Sequence, residues 1–242
     1  LMRKLRVAAL QLRSGIEPAA NRAHALPLIR EAASAGARLI ATPENTYRLD
    51  RNRERAVAAA GPEKGDGELV AWARVAQEFG VWLLLGSAAI AAGNGKVFNR
   101  SFLYTPDGKV AARYDKINLF DVSLGGGETY RESETVEGGG QAMLTQGPMG
   151  AQIGLTICYD LRFAALQFLR ARGEFGFELL AGALGRGRLA TDSLDIHVTD
   201  LDVGRASRRN SGQQRQRGER RKNLPQVRLL AIDPGGNFTA GL

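Results

Sequence analysis

This chain of 242 residues has one cysteine, two histidines and no apolar run approaching 18 residues. A single thiol cannot close an internal disulfide, so a reducing, cytoplasmic setting is the expectation. His24 and His197 stand apart, with no companions at metal-ligand spacing, and neither neighbours the cysteine. That argues against a metal centre and against a cysteine–histidine protease. With no long apolar run, no transmembrane helix is expected. The opening LMRKLRVAALQL has too short an apolar part for a signal peptide and no small-residue cleavage site, so it reads as a first strand. Leu1 ahead of Met2 reads as an odd or clipped start. Phosphate-loop chemistry is missing too: the glycines at 125–127 and 138–140 do not lead into a helix carrying Lys-Ser/Thr. GRGRLA at 185–190 matches a dinucleotide pattern only loosely.

The hydrophobic content of 44% is enough for one substantial core, and residues 1–242 are read as a single domain. The formal net charge of +8 is local. Residues 205–223 hold seven Arg, one Lys and one Glu, a net +7, and leave the rest of the chain near neutrality. Such a run reads as a solvated stretch rather than a nucleic-acid site, so no nucleic-acid partner is expected.

Periodicity places strands and helices in alternation at first. LRVAALQL (5–12) predicts a buried strand, and 19–35 a helix with Leu26, Ile29 and Ala33 on one side and Gly36 as its stop. ARLIATPE predicts a second strand ending at Pro43 and Glu44, followed by a polar loop. Residues 67–80 form an amphipathic pattern with Leu69, Trp72, Ala73 and Ala76 on one face. VWLLLGSAAI then reads as a fully buried strand. Later the rhythm changes to hairpins. PDG joins two strands across 97–116, and AQIGLTI is a strand ending at Cys158. This pattern predicts an α/β protein with a mixed sheet. Beyond it, 164–184 reads as a helix and a strand, 185–226 loses periodicity, and VRLLAIDPGGN resumes as a strand and turn.

Three chemically active residues close apolar strands: Glu44, Lys116 and Cys158. Groups beyond the carboxyl ends of strands converge in the crevice of α/β sheets. Brought together, a carboxylate can take a thiol proton, the sulfur can attack a carbonyl carbon, and an ammonium can stabilise the oxyanion. This chemistry predicts a Cys158 thiol of lowered pKa that alkylates quickly.

The surroundings of these residues resemble the nitrilase superfamily, in particular the Nit-type branch of the carbon–nitrogen hydrolases. TPENTY resembles its general-base motif, ARYDKINLFDV its lysine motif and GLTICYDLRF its nucleophile elbow, while GGGETYRESETVEGG resembles the linking segment of this branch. The resemblance spans about residues 3–163. It implies a four-layer α-β-β-α sandwich, a homodimer or larger assembly, and no cofactor. It implies hydrolysis of a small linear amide through a cysteine acyl-enzyme, with Glu44 as base, Lys116 as catalytic lysine and Cys158 as nucleophile. Glu132 is the second glutamate, with Glu128 as the fallback. The N–H of Tyr159 completes the oxyanion hole. Substrates of the branch, ω-amides of keto acids and deaminated glutathione, carry a carboxylate, for which Arg162 or Arg131 is a candidate partner.

The chain also departs from the family. Ala164-Ala165 stands where Pro-Glu is usual, and 185–226 lacks the expected loop and helix although LLAIDPGGN returns at about the expected distance. Preserved length with lost content reads as two compensating frameshifts, and the chain stops before the usual C-terminal elements. The alternative function is therefore a catalytically inactive family member, or a nucleic-acid binder using the Arg-rich segment.

Overall fold

The computed structural model describes residues 5–124, 127–163 and 166, together with the strands at 176–181, 194–198, 226–232 and 238–240. In chain order these are β1 (Leu5–Gln11), α1 (Pro18–Ser34), β2 (Leu39–Ala41), α2 (Arg53–Ala58), α3 (Gly67–Phe79), β3 (Trp82–Ala91), β4 (Val97–Tyr104) and β5 (Val110–Asp115). After these come β6 (Asp121–Ser123), β7 (Thr129–Arg131), β8 (Met143–Gln146), β9 (Gln152–Ile157), β10 (Gly176–Ala181), β11 (Leu194–Val198), β12 (Gln226–Ile232) and β13 (Phe238–Ala240).

Seven strands form one mixed sheet in the order β13-β12-β1-β2-β3-β4-β5. Its centre is parallel, β1 with β2 and β2 with β3, because α1 and α3 supply the crossovers. Antiparallel hairpins extend it through β4 and β5, and β12 returns antiparallel to β1. A second sheet runs β11-β10-β9-β8.

Side-chain alternation assigns the two faces of the large sheet. In β1, Ala8 and Leu10 join Ile29 of α1 and Trp72 and Ala76 of α3 in one core. Leu5 and Val7, offset by one residue, join Leu84, Leu103, Tyr114 and the β9 residues Ile153, Leu155 and Ile157 in another. The described residues thus form three layers, helices on sheet on sheet, with a mixed α/β topology of the nitrilase type. The fourth layer of the expected sandwich lies outside the described residues.

α3 is bounded as its sequence dictates. Asp66 Oδ1 accepts from the N–H groups of Glu68 and Leu69, and Gly80 closes the helix in the left-handed region at φ 60°. α1 turns Ala25, Ile29 and Ala32 fully inward, while Leu26 and Ala33 of the expected face are half-buried. The expected polar loop after Glu44 contains α2, and 121–146 adds the strands β6, β7 and β8 that periodicity does not signal. β11 falls within the segment 185–226 read as aperiodic; the Arg-rich run 205–223 lies outside the described residues.

Candidate active site

Glu44, Lys116 and Cys158 meet at the end of the inter-sheet core, on the wall of one cavity of about 330 Å³. Glu44 follows β2 by three residues, and a bulge in the next strand holds its loop in place. The β3–β4 register shifts between Leu85 and Ala88, so Gly86 and Ser87 of β3 stand opposite the single Ser101 of β4. Gly86 N donates to Thr42 Oγ1 at 2.9 Å, Ser87 Oγ accepts from Asn45 N at 2.8 Å, and the Ser87 carbonyl accepts from Tyr47 N at 3.2 Å. A Cβ at Gly86 would stand 2.0 Å from the Pro43 carbonyl oxygen, so only glycine admits this approach. The loop's far end is tied through the Tyr47 hydroxyl, which donates to Asp66 Oδ2 at 2.8 Å.

Lys116 leaves β5 with its main chain still in the ladder, its N–H donating to the Asn99 carbonyl at 3.0 Å. The side chain is 2% exposed and ends between two carboxylates. Its Nζ lies 3.2 Å from Glu44 Oε1 and 2.9 and 3.1 Å from the two oxygens of Glu132. Glu132 is fixed in turn: Oε2 accepts from Phe120 N at 2.6 Å, and the Glu132 N–H donates to the Phe120 carbonyl at 3.3 Å. Glu128, the fallback, is exposed outside the cavity wall. Asn99 Nδ2 donates to Glu44 Oε1 at 2.8 Å.

Cys158 sits where β9 ends and a short 3-10 turn, Cys158–Arg162, begins. Its φ of 49° is left-handed, a conformation that costs a non-glycine residue roughly 1–2 kcal/mol. Asp160 holds the elbow in this shape. Fully buried, it accepts from Ile157 N at 3.0 Å, Tyr114 Oη at 2.7 Å, Asn118 N at 2.8 Å and Asn118 Nδ2 at 2.9 Å. Since Tyr114 and Asn118 flank Lys116, this one carboxylate ties the thiol's strand to the lysine's. The Tyr159 N–H lies in the first turn of that helix, where no intrahelical acceptor exists. Its ring packs edge-on to Phe120 and Phe163.

The thiol titrates opposite to expectation. Burial pushes Cys158 up to about 12, and the nearby negative charge of Glu44 adds to the rise. Lys116 pulls the other way, and its effect is smaller than either. The reason is a local charge count: two carboxylates face the one ammonium beside the thiol, so this cluster is net negative before the thiol ionises. For Lys116, burial favours the neutral amine, but Glu44 and Glu132 together outweigh burial and hold it charged.

The carbon–nitrogen hydrolase family model matches residues 6–175. The chain belongs to that family. It is 36% identical over 177 residues to deaminated glutathione amidase of Yersinia enterocolitica and 34% identical over 175 residues to omega-amidase NIT2 of Homo sapiens. Each alignment covers 71% of this chain and 60% of the relative, so the chain spans about 60% of the length of these curated relatives. Among solved structures, Saccharomyces cerevisiae Nit3, a member of branch 10 of the nitrilase superfamily, matches at TM-score 0.63 and 26% identity over 75% of this chain and 65% of that one. The C. elegans NitFhit protein matches at 0.65 and 25% over 74% and 43%.

In this member of the family the two candidate carboxylate anchors stand apart from the cavity wall. Arg162 is exposed on the turn after Cys158, and Arg131 is exposed on β7. Sequence reading passed over Arg48 and Arg53, which line the cavity, as part of a polar loop. Arg53 is engaged by the Arg131 carbonyl at 3.0 Å and Glu134 at 3.5 Å. Half-buried Arg48 makes no hydrogen bond or ion pair among the described residues. Asn99 and Asp160 also went unassigned; their only signal is a polar side chain in an apolar strand or at its end. Among the described residues no group of three or more His, Cys, Asp or Glu could hold a metal ion, and no helix is long and apolar enough to cross a membrane.

Proposed function

We propose that this chain hydrolyses the C–N bond of a small linear amide through an acyl-enzyme on Cys158. The observation that carries the reading is the convergence of Glu44, Lys116 and Cys158 on one cavity wall. Glu44 takes the thiol proton as sulfur attacks the amide carbon. Lys116 Nζ and the Tyr159 N–H receive the developing oxyanion. Collapse returns the proton to nitrogen and releases ammonia. Water, deprotonated by Glu44, then attacks the thioester and frees the acid and the thiol. Glu132 acts by holding Lys116. A reducing, cytoplasmic compartment keeps the thiol free, residues 1–242 act as one domain, and two copies assemble as in the Nit-type resemblance.

The substrate carries a carboxylate, as an ω-amide of a keto acid or deaminated glutathione does, and Arg48 is its anchor. It is a cavity-lining cation with no hydrogen bond or ion pair among the described residues, its nearby counter-charge being Asp50. The test is ammonia release from α-ketoglutaramate, deaminated glutathione and an uncharged amide by the parent, Cys158→Ala and Arg48→Gln. The parent releases ammonia and Cys158→Ala does not. Arg48→Gln raises KM for the two anionic amides roughly 10–100-fold, the worth of one charged hydrogen bond, and leaves the uncharged amide unchanged. Full activity of Cys158→Ala, or an equal effect of Arg48→Gln on all three amides, refutes the reading.

A further inference from the structure

We propose that Asn99 is a positioning residue for Glu44, dictating which carboxylate oxygen faces the thiol; this rests on the reading of Glu44 as the base. Asn99 lies on β4 opposite Ala89, on the same side as Ser101 and Leu103, and is 6% exposed. Its Nδ2 donates to Glu44 Oε1, the oxygen that also receives Lys116 Nζ. The facing atom must be the amide nitrogen, because a carbonyl oxygen cannot donate to a carboxylate. Asn99 Oδ1 is therefore directed away from Glu44, and it is buried with no hydrogen-bond partner.

An unpartnered buried carbonyl costs stability, and leucine would fill nearly the same volume without that cost. That cost offsets what the Nδ2 bond to Glu44 contributes to folding, so stability alone gives little reason for asparagine here; orienting Glu44 does. Two donors converge on Oε1 and hold the carboxylate plane, so Oε2 is the oxygen free to accept the Cys158 proton. Without Asn99, the carboxylate can turn both oxygens toward Lys116, as Glu132 already does. Asn99 also fixes the lysine's start, since its main-chain carbonyl accepts the Lys116 N–H, and no side-chain substitution disturbs that bond.

The experiment compares kcat, KM and thermal melting of the parent, Asn99→Leu and Asn99→Ala, with Glu44→Gln, Glu44→Asp and the Glu44→Asp/Asn99→Leu double variant. Asn99→Leu is expected to melt at or above the parent temperature, to lose roughly 10–100-fold in kcat, and to keep KM within about two-fold. Asn99→Ala loses kcat to a similar degree. In Glu44→Asp the shortened carboxylate no longer reaches Nδ2, so adding Asn99→Leu costs less than about three-fold. Parental kcat in Asn99→Leu, losses that add in the double variant, or a melt well below the parent each overturn the proposal. Full activity in Glu44→Gln overturns the reading of Glu44 itself. A parent that releases no ammonia refutes the amidase reading, and melting alone then decides Asn99: a lower Tm in Asn99→Leu makes it a stability residue.

Discussion

Asp160→Asn tests whether the elbow is built as described. The substitution keeps shape and volume but exchanges an acceptor-only group for one with a single acceptor oxygen and an amide that donates. All four partners of Asp160 present donors: Ile157 N and Tyr114 Oη to Oδ2, Asn118 N and Nδ2 to Oδ1. If the new NH2 takes the Oδ1 place, the Asn118 side chain can turn its carbonyl toward it, but the Asn118 N–H is stranded. If it takes the Oδ2 place, Tyr114 Oη can accept, though it already accepts from Ile117 N at 3.3 Å, and the Ile157 N–H is stranded. Either way one buried backbone donor goes unpaired and three bonds lose their charge assistance. Hydrogen bonds to charged groups contribute about 1.5–3 kcal/mol and a stranded group costs about 1–3, so with partial relaxation we expect a loss of about 3 kcal/mol. For a chain of this size that lowers Tm by about 6–12 °C, and amidase activity falls with it because the Cys158 conformation depends on the same bonds. Calorimetry of parent and variant at pH 7 measures it. A Tm drop below about 2 °C would refute the account of Asp160 as the tie between the thiol's strand and the lysine's.

Gly86→Ala puts a Cβ against the Pro43 carbonyl and must displace the Glu44 loop; we expect about 1–3 kcal/mol of destabilisation and a larger proportional loss of kcat, read by melting and ammonia release. Raised from 9.0 to about 12, the Cys158 thiol stays protonated at neutral pH, so iodoacetamide labelling climbs steadily past pH 9; a plateau below pH 8 contradicts this. The native state holds that proton more tightly than the unfolded chain, so the thiol's contribution to stability falls as pH rises from about 9 towards 12. Glu132→Gln removes one of two carboxylates beside Lys116: labelling of Cys158 at pH 8 should speed up while amide hydrolysis slows, and a parallel fall in both would show that Glu132 matters only for folding.

The three chemical groups were legible because each ends an apolar strand, where a charged or reactive side chain contrasts with its surroundings. Glu132 was legible only through resemblance; its own context, between the short strand β7 and a turn, carries no periodic signal. Other parts were hidden for specific reasons. LLLGSAAI reads as an unbroken apolar run, so the bulge that flips Ala88 and Ile90 onto the helix side after Leu84 had faced the second sheet cannot be seen in it. α2 has six residues, fewer than two turns, too few for a moment to emerge. Asn99 and Asp160 look like ordinary polar positions until their partners, 55 residues away for Glu44 and 46 and 42 for Tyr114 and Asn118, are brought beside them.

The direction of the thiol's pKa was the reading that went wrong, and the cause lies in the charge count. Sequence reading already groups Glu44, and through the resemblance Glu132, with Lys116 and Cys158, but lets the lysine set the direction; in the fold both carboxylates engage that one lysine, and burial together with Glu44 outweighs it. On the proposed mechanism this composition has a use. With the thiol protonated, Glu44, Glu132 and Lys116 sum to one net negative charge. Once Glu44 holds the proton and the substrate oxygen carries the negative charge, the sum is again one negative. The step therefore moves charge from a carboxylate to an oxyanion within reach of one ammonium, and this cluster around Lys116 never bears a second net charge. A preformed thiolate would place that second charge in the resting site, where burial makes it most costly. Proton transfer coupled to attack is accordingly the course this pocket favours, and it makes the orientation of the Glu44 carboxylate decisive at the moment sulfur moves.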